Sequence, residues 1–234
     1  MIKGILNRLL AQNVKRRLLP LYYLFYRHVS FSQEGEDMVL KKIFETEPSG
    51  FYIDIGAHHP IRFSNTYYFY KRGWRGINVD AMPGSMRLFN LLRSRDINLE
   101  IPISNEKRTL KYYIFNEPAL NGFSKELSEN RNGEDTKFKV IKTLELETSR
   151  LDEVFEKYVS KDQEISFMSV DVEGLDLEVL KSNNWSTLRP KYILVEIYNL
   201  EMEKLNDSDI YNFLKSKNYK LVSKCVYTCI FRAN

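Results

Sequence analysis

Five acids, one glycine and two adjacent histidines carry the chemistry this chain could perform. Asp54 ends the short apolar run Phe51-Tyr52-Ile53, and Ile55-Gly56-Ala57-His58-His59-Pro60 follows it. Asp80 closes a second apolar run 26 residues later; Asp171 and Glu173 follow a third, and Glu196 ends a fourth. Each group stands where a strand would hand over to a turn. An open α/β sheet would gather them at its carboxyl edge, which is where such sheets bind ligands.

Asp54, Gly56 and Ala57 read as a tight cofactor turn, and Asp80 as the acid that takes two ribose hydroxyls. The dinucleotide fingerprint Gly-x-Gly-x-x-Gly is absent, because His58 stands at its second glycine. The loop is therefore not shaped for a pyrophosphate on a helix N-terminus. An acid, a glycine turn and a second acid without a phosphate loop point to S-adenosylmethionine, an adenosine without phosphates.

Asp171 and Glu196 are expected at the tips of consecutive strands, both beside the first. Carboxylates so placed repel unless a proton or a cation lies between them. With an imidazole they form a reasonable ligand set for Mg2+, Mn2+ or Fe2+, and His59, Asp171 and Glu196 are the metal candidates. His58, His59, Asp171 and Glu173 are the candidates for acid–base work. Simpler roles stay open for each: packed imidazoles, Glu173 as a helix cap, Glu196 as a hydrogen-bond acceptor without a metal.

The elements that would position these groups alternate. Strands are expected at 51–54, 74–80, 98–104, 165–170 and 192–195, and helices at 65–73, 84–94, 151–158, 175–180 and 207–216, the last opened by Asn206 or Asp207. Closing strands span 219–231. This βα rhythm predicts a parallel sheet with helices on both faces. Ser32 reads as a helix entry, with Gln33 and Asp37 on one face of its first turn. Residues 110–115 and 138–146 alternate like strands, while 116–136 is polar and aperiodic. So long a loop suits a lid or acceptor-binding element.

Residues 1–28 hold six cations and no acid, leaving 29 cations against 31 acids in the remainder. Basicity thus belongs to the tail, which argues against a nucleic-acid-binding domain. The tail spaces Ile2, Ile5, Leu6, Leu9 and Leu10 mostly at helical intervals, so residues 1–29 read as a basic amphipathic helical extension. It suits an anionic membrane surface, a homodimer contact, or a cap on the domain of residues 30–234. No apolar run reaches the roughly 18 residues of a membrane span. No signal-peptide cleavage site is recognisable. Cys225 and Cys229, if on one strand, lie about 13 Å apart at about 3.3 Å per residue, too far for a disulfide. Reduced thiols suit a cytoplasmic protein, with the inner membrane face as an alternative address.

The succession Phe31-Ser32-Gln33-Glu34-Gly35-Glu36-Asp37, Asp54-Ile55-Gly56-Ala57, Ser64-Asn65-Thr66-Tyr67, Gly73-Trp74-Arg75-Gly76, Asp80-Ala81-Met82-Pro83 and Asp171-Val172-Glu173-Gly174 resembles the FkbM-type S-adenosylmethionine-dependent methyltransferases. The resemblance runs over roughly residues 30–231. It implies a Rossmann-like seven-stranded sheet with a reversed last strand, and O-methylation of hydroxyls, often within surface-polysaccharide biosynthesis. It also implies that Asp54, Gly56 and Ala57 approach the methionine part, with Gln33 and Asn65 at its amino or carboxylate ends. Asp80 would take the ribose, and Met82 and Ser104 would flank the adenine. Two departures stand out: His58-His59-Pro60 where many members carry a small residue and glycine, and Asp80 where glutamate is common. A fold-level analogy with catechol O-methyltransferase puts Asp171 and Glu196 in the places of its Mg2+-holding acids.

The function expected from this reading is methyl transfer to a sugar hydroxyl, on a nucleotide-linked sugar or glycan precursor, with or without a divalent metal. The alternatives are a metal-free enzyme using His58 or His59 as base on a non-sugar hydroxyl, a nucleotide-sugar oxidoreductase, and a non-catalytic membrane-associated module.

Overall fold

The computed structural model describes Tyr23, residues 26–133 and residues 136–234. The chain divides into two units, residues 1–30 and 31–234. Of the first unit only Tyr23 and residues 26–30 are described, so the amphipathic extension expected over 1–29 lies outside the described residues, and with it the membrane or dimer role assigned to it. Among the described residues no helix is long and apolar enough to cross a membrane.

The second unit is built on a sheet of seven strands: β1 (Phe51–Ile55), β2 (Arg75–Asp80), β3 (Ile97–Glu100), β6 (Phe167–Val170), β7 (Tyr192–Glu196), β8 (Tyr219–Lys224) and β9 (Thr228–Ala233). Their order is β3-β2-β1-β6-β7-β9-β8. β1 pairs in parallel with both β2 and β6, with Ile53 opposite Ile77 on one side and Met168 on the other. β9 runs antiparallel to β7 and to β8, so the last strand alone is reversed, as expected from the sequence.

Alternation along β1 divides the core between two faces. Ile53 and Ile55 point into a cluster with Ile77, Met168 and Ile193, packed by Val154 and Phe155 of α5 (Leu151–Tyr158), Leu180 of α6 (Asp176–Lys181) and Leu214 of α7 (Asp209–Ser216). Tyr52 points to the opposite face with Phe167 and Leu194, covered by Leu40 of α1 (Glu36–Ile43), Phe69 of α2 (Tyr67–Lys71) and Trp74. Helices therefore cover both faces, and a sheet buried on both sides needs the apolar strand runs the sequence provides. The remaining helix of this half, α3 (Met86–Leu92), packs Met86 and Phe89 against Ala57.

Four expectations change. Residues 116–136 are not without structure: Pro118–Leu120 form a 3-10 turn capped by Glu117, and α4 (Lys125–Arg131) is capped by Ser124, whose Oγ accepts from the Leu127 amide. α4 contains one apolar residue, Leu127, so it shows no hydrophobic period. The segment joins β4 (Thr109–Phe115) to β5 (Val140–Glu147), which pair antiparallel as a separate two-stranded sheet. α7 is capped by Ser208, not Asn206 or Asp207; residues 202–207 form a 3-10 turn before it. Cys225 sits in the β8–β9 turn and Cys229 in β9, so the two do not share a strand, and both thiols are free. Finally, β7 is separated from β1 by β6, so Glu196 is one strand further from the β1 turn than expected.

Candidate active site

A cavity of about 940 Å3 opens at the carboxyl ends of β1, β2, β6 and β7, beneath the β4–β5 hairpin and residues 116–123. Its size suits a cofactor together with part of an acceptor. Gly56 starts the turn after β1 with φ 82°, and its amide donates to the Val79 carbonyl at 2.9 Å. A Cβ here would lie 1.6 Å from the carbonyl oxygen of Asp171. Glycine is required twice over, for the left-handed backbone and for the close approach of two chain turns. The Asp171 amide in turn donates to the Ile55 carbonyl at 2.9 Å, so the turns after β1 and β6 are interlocked.

Asp80 lies at the tip of β2 on the cavity wall, its Oδ2 accepting from the His58 amide at 2.9 Å and its Oδ1 from the Met82 amide at 2.7 Å. Burial raises its pKa, and these two amide bonds oppose the rise. Each oxygen keeps acceptor capacity for a further donor. Gly56, Gln33 and Met82 also line the cavity, with Ile101, Ile103 and Tyr112 adding apolar wall.

Four residues assigned to the cofactor from the sequence are not on this wall. Asp54 is buried and accepts from Thr66 Oγ1 at 2.8 Å; that hydroxyl accepts from Arg93 Nη1 at 2.9 Å. Arg93, fully buried, also pairs with Asp96 at 2.8 Å and donates to Tyr52 Oη at 2.8 Å. Burial lifts Asp54 to about 6, with Arg93 and the Thr66 hydroxyl holding it down. Asp54 is thus the base of the cofactor strand rather than a surface of the cavity. Asn65 Nδ2 donates to Ser169 Oγ at 3.0 Å, while its Oδ1 is buried without a hydrogen-bond partner. Ser104 bonds the Glu106 carbonyl at 3.1 Å beside Thr148, and Ala57 packs on α3. Gln33 and Asp37 also part company: Gln33 is exposed at the cavity, whereas Asp37 is buried, accepting from the Phe31 amide at 2.7 Å and Ser32 Oγ at 2.9 Å.

The two histidines have different environments. His59 Nδ1 accepts from the amides of Ile61 at 3.1 Å and Arg62 at 2.9 Å, which leaves the proton of the neutral ring on Nε2. Neither nitrogen then offers a free lone pair for a metal or a proton. His58 has φ 53°, lines the cavity, and keeps a buried Nε2 without a hydrogen-bond partner. Burial, with Arg62 and His59 adding to it, lowers His58 to about 4, so its ring is neutral at pH 7.

Among the described residues, the group able to surround a cation is Asp171, Glu173 and Glu196, whose ligand oxygens lie within 4.8 Å of one another. His59 does not join them, and Glu173 takes the place it was expected to fill. Asp171 Oδ1 is buried without a partner. Burial and then the Glu196 and Glu173 charges raise Asp171 well above the carboxylate range, and burial lifts Glu196 to about 7. Asp176 braces the turn: its oxygens accept from the Val172 amide at 3.0 Å and the Gly174 amide at 3.1 Å.

Several functional candidates escaped the sequence reading. Arg131 of α4 pairs with Glu173 at 2.8 Å, and Tyr198 Oη donates to Glu173 at 3.4 Å. Arg62 reaches Glu117 through two bonds of 3.0 and 3.1 Å while its guanidinium lies 4.2 Å from the Phe63 ring centroid. Arg62 and Glu117 carried no motif. Arg131 was hidden in a segment read as structureless. Tyr198, two residues beyond Glu196, was within reach of the strand-tip argument.

The arrangement can hold a ribose-bearing cofactor on the β1–β2 side and present a carboxylate cluster to a second molecule on the β6–β7 side. A family model described as the methyltransferase FkbM domain matches residues 54–221, more than half of the chain. No match was found among curated proteins.

Proposed function

We propose that this chain, which belongs to the FkbM methyltransferase family, methylates a hydroxyl of a sugar, on a nucleotide-linked sugar or surface-glycan precursor destined for polysaccharide. The observation that carries the reading is Asp171, set in one cavity with Asp80, its Oδ1 buried and unpartnered amid Glu173 and Glu196. The cavity residues fit S-adenosylmethionine: Asp80 for the ribose hydroxyls, Gly56 and Gln33 for the methionine end, and Met82 with Ile101 and Ile103 beside the base. When bound, that cofactor supplies a methyl group already activated on a sulfonium.

What remains for the protein is the nucleophile. A sugar hydroxyl is almost fully protonated at pH 7, and a positioned base contributes about 10²–10⁴-fold. Once ionised, Asp171 can accept a hydroxyl hydrogen bond on Oδ1 and take the proton as the oxygen gains its bond, its raised pKa making that form the stronger base. Glu173 is less free, because Arg131 and Tyr198 hold it. His58 has an open nitrogen but a depressed pKa, which makes it the weaker base. An acid-rich acceptor half favours the uncharged polyhydroxyl part of a substrate, with any phosphate kept away from it. Two free thiols suit a reducing cytoplasm.

A second reading gives the same carboxylates a divalent cation. It is favoured by the convergence of three oxygens within 4.8 Å, with one arginine beside them. Mg2+ or Mn2+ there would lower the hydroxyl pKa and orient it. One experiment tests both: activity on activated sugars, scored by mass for a gain of one methyl, before and after complete chelation. Activity that survives chelation retires the metal, activity restored by a single ion establishes it, and no methylation of any sugar overturns the acceptor class.

A further inference from the structure

Residues 56–99 contain two acids, Asp80 and Asp96, and both are buried. The same stretch exposes Lys71, Arg72, Arg75, Arg87 and Arg95, and among the described residues none of these five forms an ion pair. The fold brings four of them together. Arg95 lies with its guanidinium 4.2 Å from the Tyr70 ring centroid and donates to the Tyr70 carbonyl, joining the end of α3 to the end of α2, where Lys71 and Arg72 follow. Arg75 begins β2 at the same edge of the sheet, so these four cations share the amino edge, whereas Arg87 lies in the first turn of α3, nearer the carboxyl edge. The next acid beyond the stretch, Glu100, ends β3 at the carboxyl edge and accepts from the Gly84 amide at 2.7 Å, near Arg87 and at the opposite edge from the other four cations.

α3 adds an apolar component. Leu88, Leu91 and Leu92 are 39, 75 and 40 % exposed, while Met86 and Phe89 fill the core. Leu88, Leu91 and Leu92 are spaced i, i+3 and i+4 within α3, which puts them along one flank, and Arg95 follows in the turn after the helix. Exposed leucines among unpaired cations have a cost in water that lipid headgroups and the acyl boundary relieve. Nucleic acid would meet the cations but leave the leucines uncovered.

We infer that the α2–α3 face of the folded domain is a docking surface for an anionic lipid bilayer, separate from the basic tail of residues 1–28. Lys71, Arg75 and Arg95 lie toward the amino ends of the strands, whereas the cavity opens at the carboxyl ends. Docking on this face leaves the cavity free to take an acceptor from solution.

The test is sedimentation of the full chain with vesicles of phosphatidylcholine alone and with about one-third phosphatidylglycerol. Each surface cation contributes about fivefold to partitioning at low salt. Lys71→Glu/Arg72→Glu/Arg75→Glu is therefore expected to weaken binding to the anionic vesicles by about 10²-fold or more. Leu91→Ser is expected to weaken it severalfold at unchanged charge, with S-adenosylhomocysteine affinity intact in both as the control for folding. Wild-type chain that ignores anionic vesicles overturns the inference. So does triple-variant binding equal to wild type, which assigns all binding to the tail, and so does loss of duplex DNA binding in place of vesicle binding.

Discussion

The Arg131 guanidinium lies 2.8 Å from the Glu173 carboxylate and fastens α4 to the turn after β6. Arg62 and Glu117 fasten the start of the same segment to the loop after β1. The cover of the cavity is thus held by one ion pair at each end. Both charges of the first pair are mostly sheltered from water. Arg131→Ala leaves Glu173 without its counter-charge beside two other acids, and should cost about 1–3 kcal/mol of stability. Chemical denaturation reads the stability, and a parallel fall in kcat/KM shows that the cover matters to turnover.

Asp171→Asn should lower kcat by about 10²–10⁴-fold, with S-adenosylhomocysteine affinity unchanged by calorimetry. His58→Gln should stay within about tenfold of wild type, since its ring is a weak base. A larger loss in His58→Gln than in Asp171→Asn would move the proton to His58 and take it from Asp171.

Asp54 gives a pH signature in stability. Its folded pKa is raised to about 6, above the ordinary aspartate value near 3.8. The folded chain therefore binds more protons than the unfolded chain between those values. Its contribution is fully present below about pH 4 and is lost as pH rises through about 6. Relative to Asp54→Asn, wild type should lose about 2 kcal/mol between pH 4 and pH 7. Urea melts of both proteins across that window measure the difference.

Gly56→Ala and Gly73→Ala separate backbone strain from collision. Both glycines have positive φ, 82° and 93°, but a Cβ at Gly73 meets nothing within 4 Å. Gly73→Ala should cost about 1–2 kcal/mol. Gly56→Ala must also displace the Asp171 carbonyl and should cost more than about 3 kcal/mol. Thermal melts, with cofactor binding on whatever remains folded, test the pair.

Ser104→Ala should leave cofactor affinity unchanged within about twofold, because the hydroxyl bonds the Glu106 carbonyl and lies off the cavity wall. Equilibrium binding of S-adenosylhomocysteine measures it.

These residues mark the limits of reading the chain unaided. Asp80, Gly56 and Asp171 were legible because a strand of period two fixes where its tip must be, and a polar residue there has few other uses. Asp54 was legible as important but not as internal: whether the last strand residue points to the cavity or to the core depends on one step of alternation. Asn65 lies off the cavity wall because its partner, Ser169, is remote in sequence, and Ser104 because its hydroxyl turns back on the Glu106 carbonyl beside the remote Thr148. His59 was lost as a ligand to two amides only two and three residues away, a turn geometry that composition does not display. Arg131 needed α4 to exist, and a helix held by Ser124 and one leucine leaves no periodic trace.

Phe115 pairs with Val140 at the end of the β4–β5 ladder, and between them the chain folds back once onto β4, where Gly122 exchanges two hydrogen bonds with Tyr113. Everything between, including Glu117 and Arg131, is a cassette inserted outside the seven-stranded sheet. Its length can vary at small entropic cost, and its residues can change without shifting the register that sets Asp80 and Asp171. Swapping residues 116–139 between paralogues that keep Glu117 and Arg131 should therefore leave S-adenosylhomocysteine affinity unchanged, and a change in the hydroxyl methylated would assign acceptor choice to this segment.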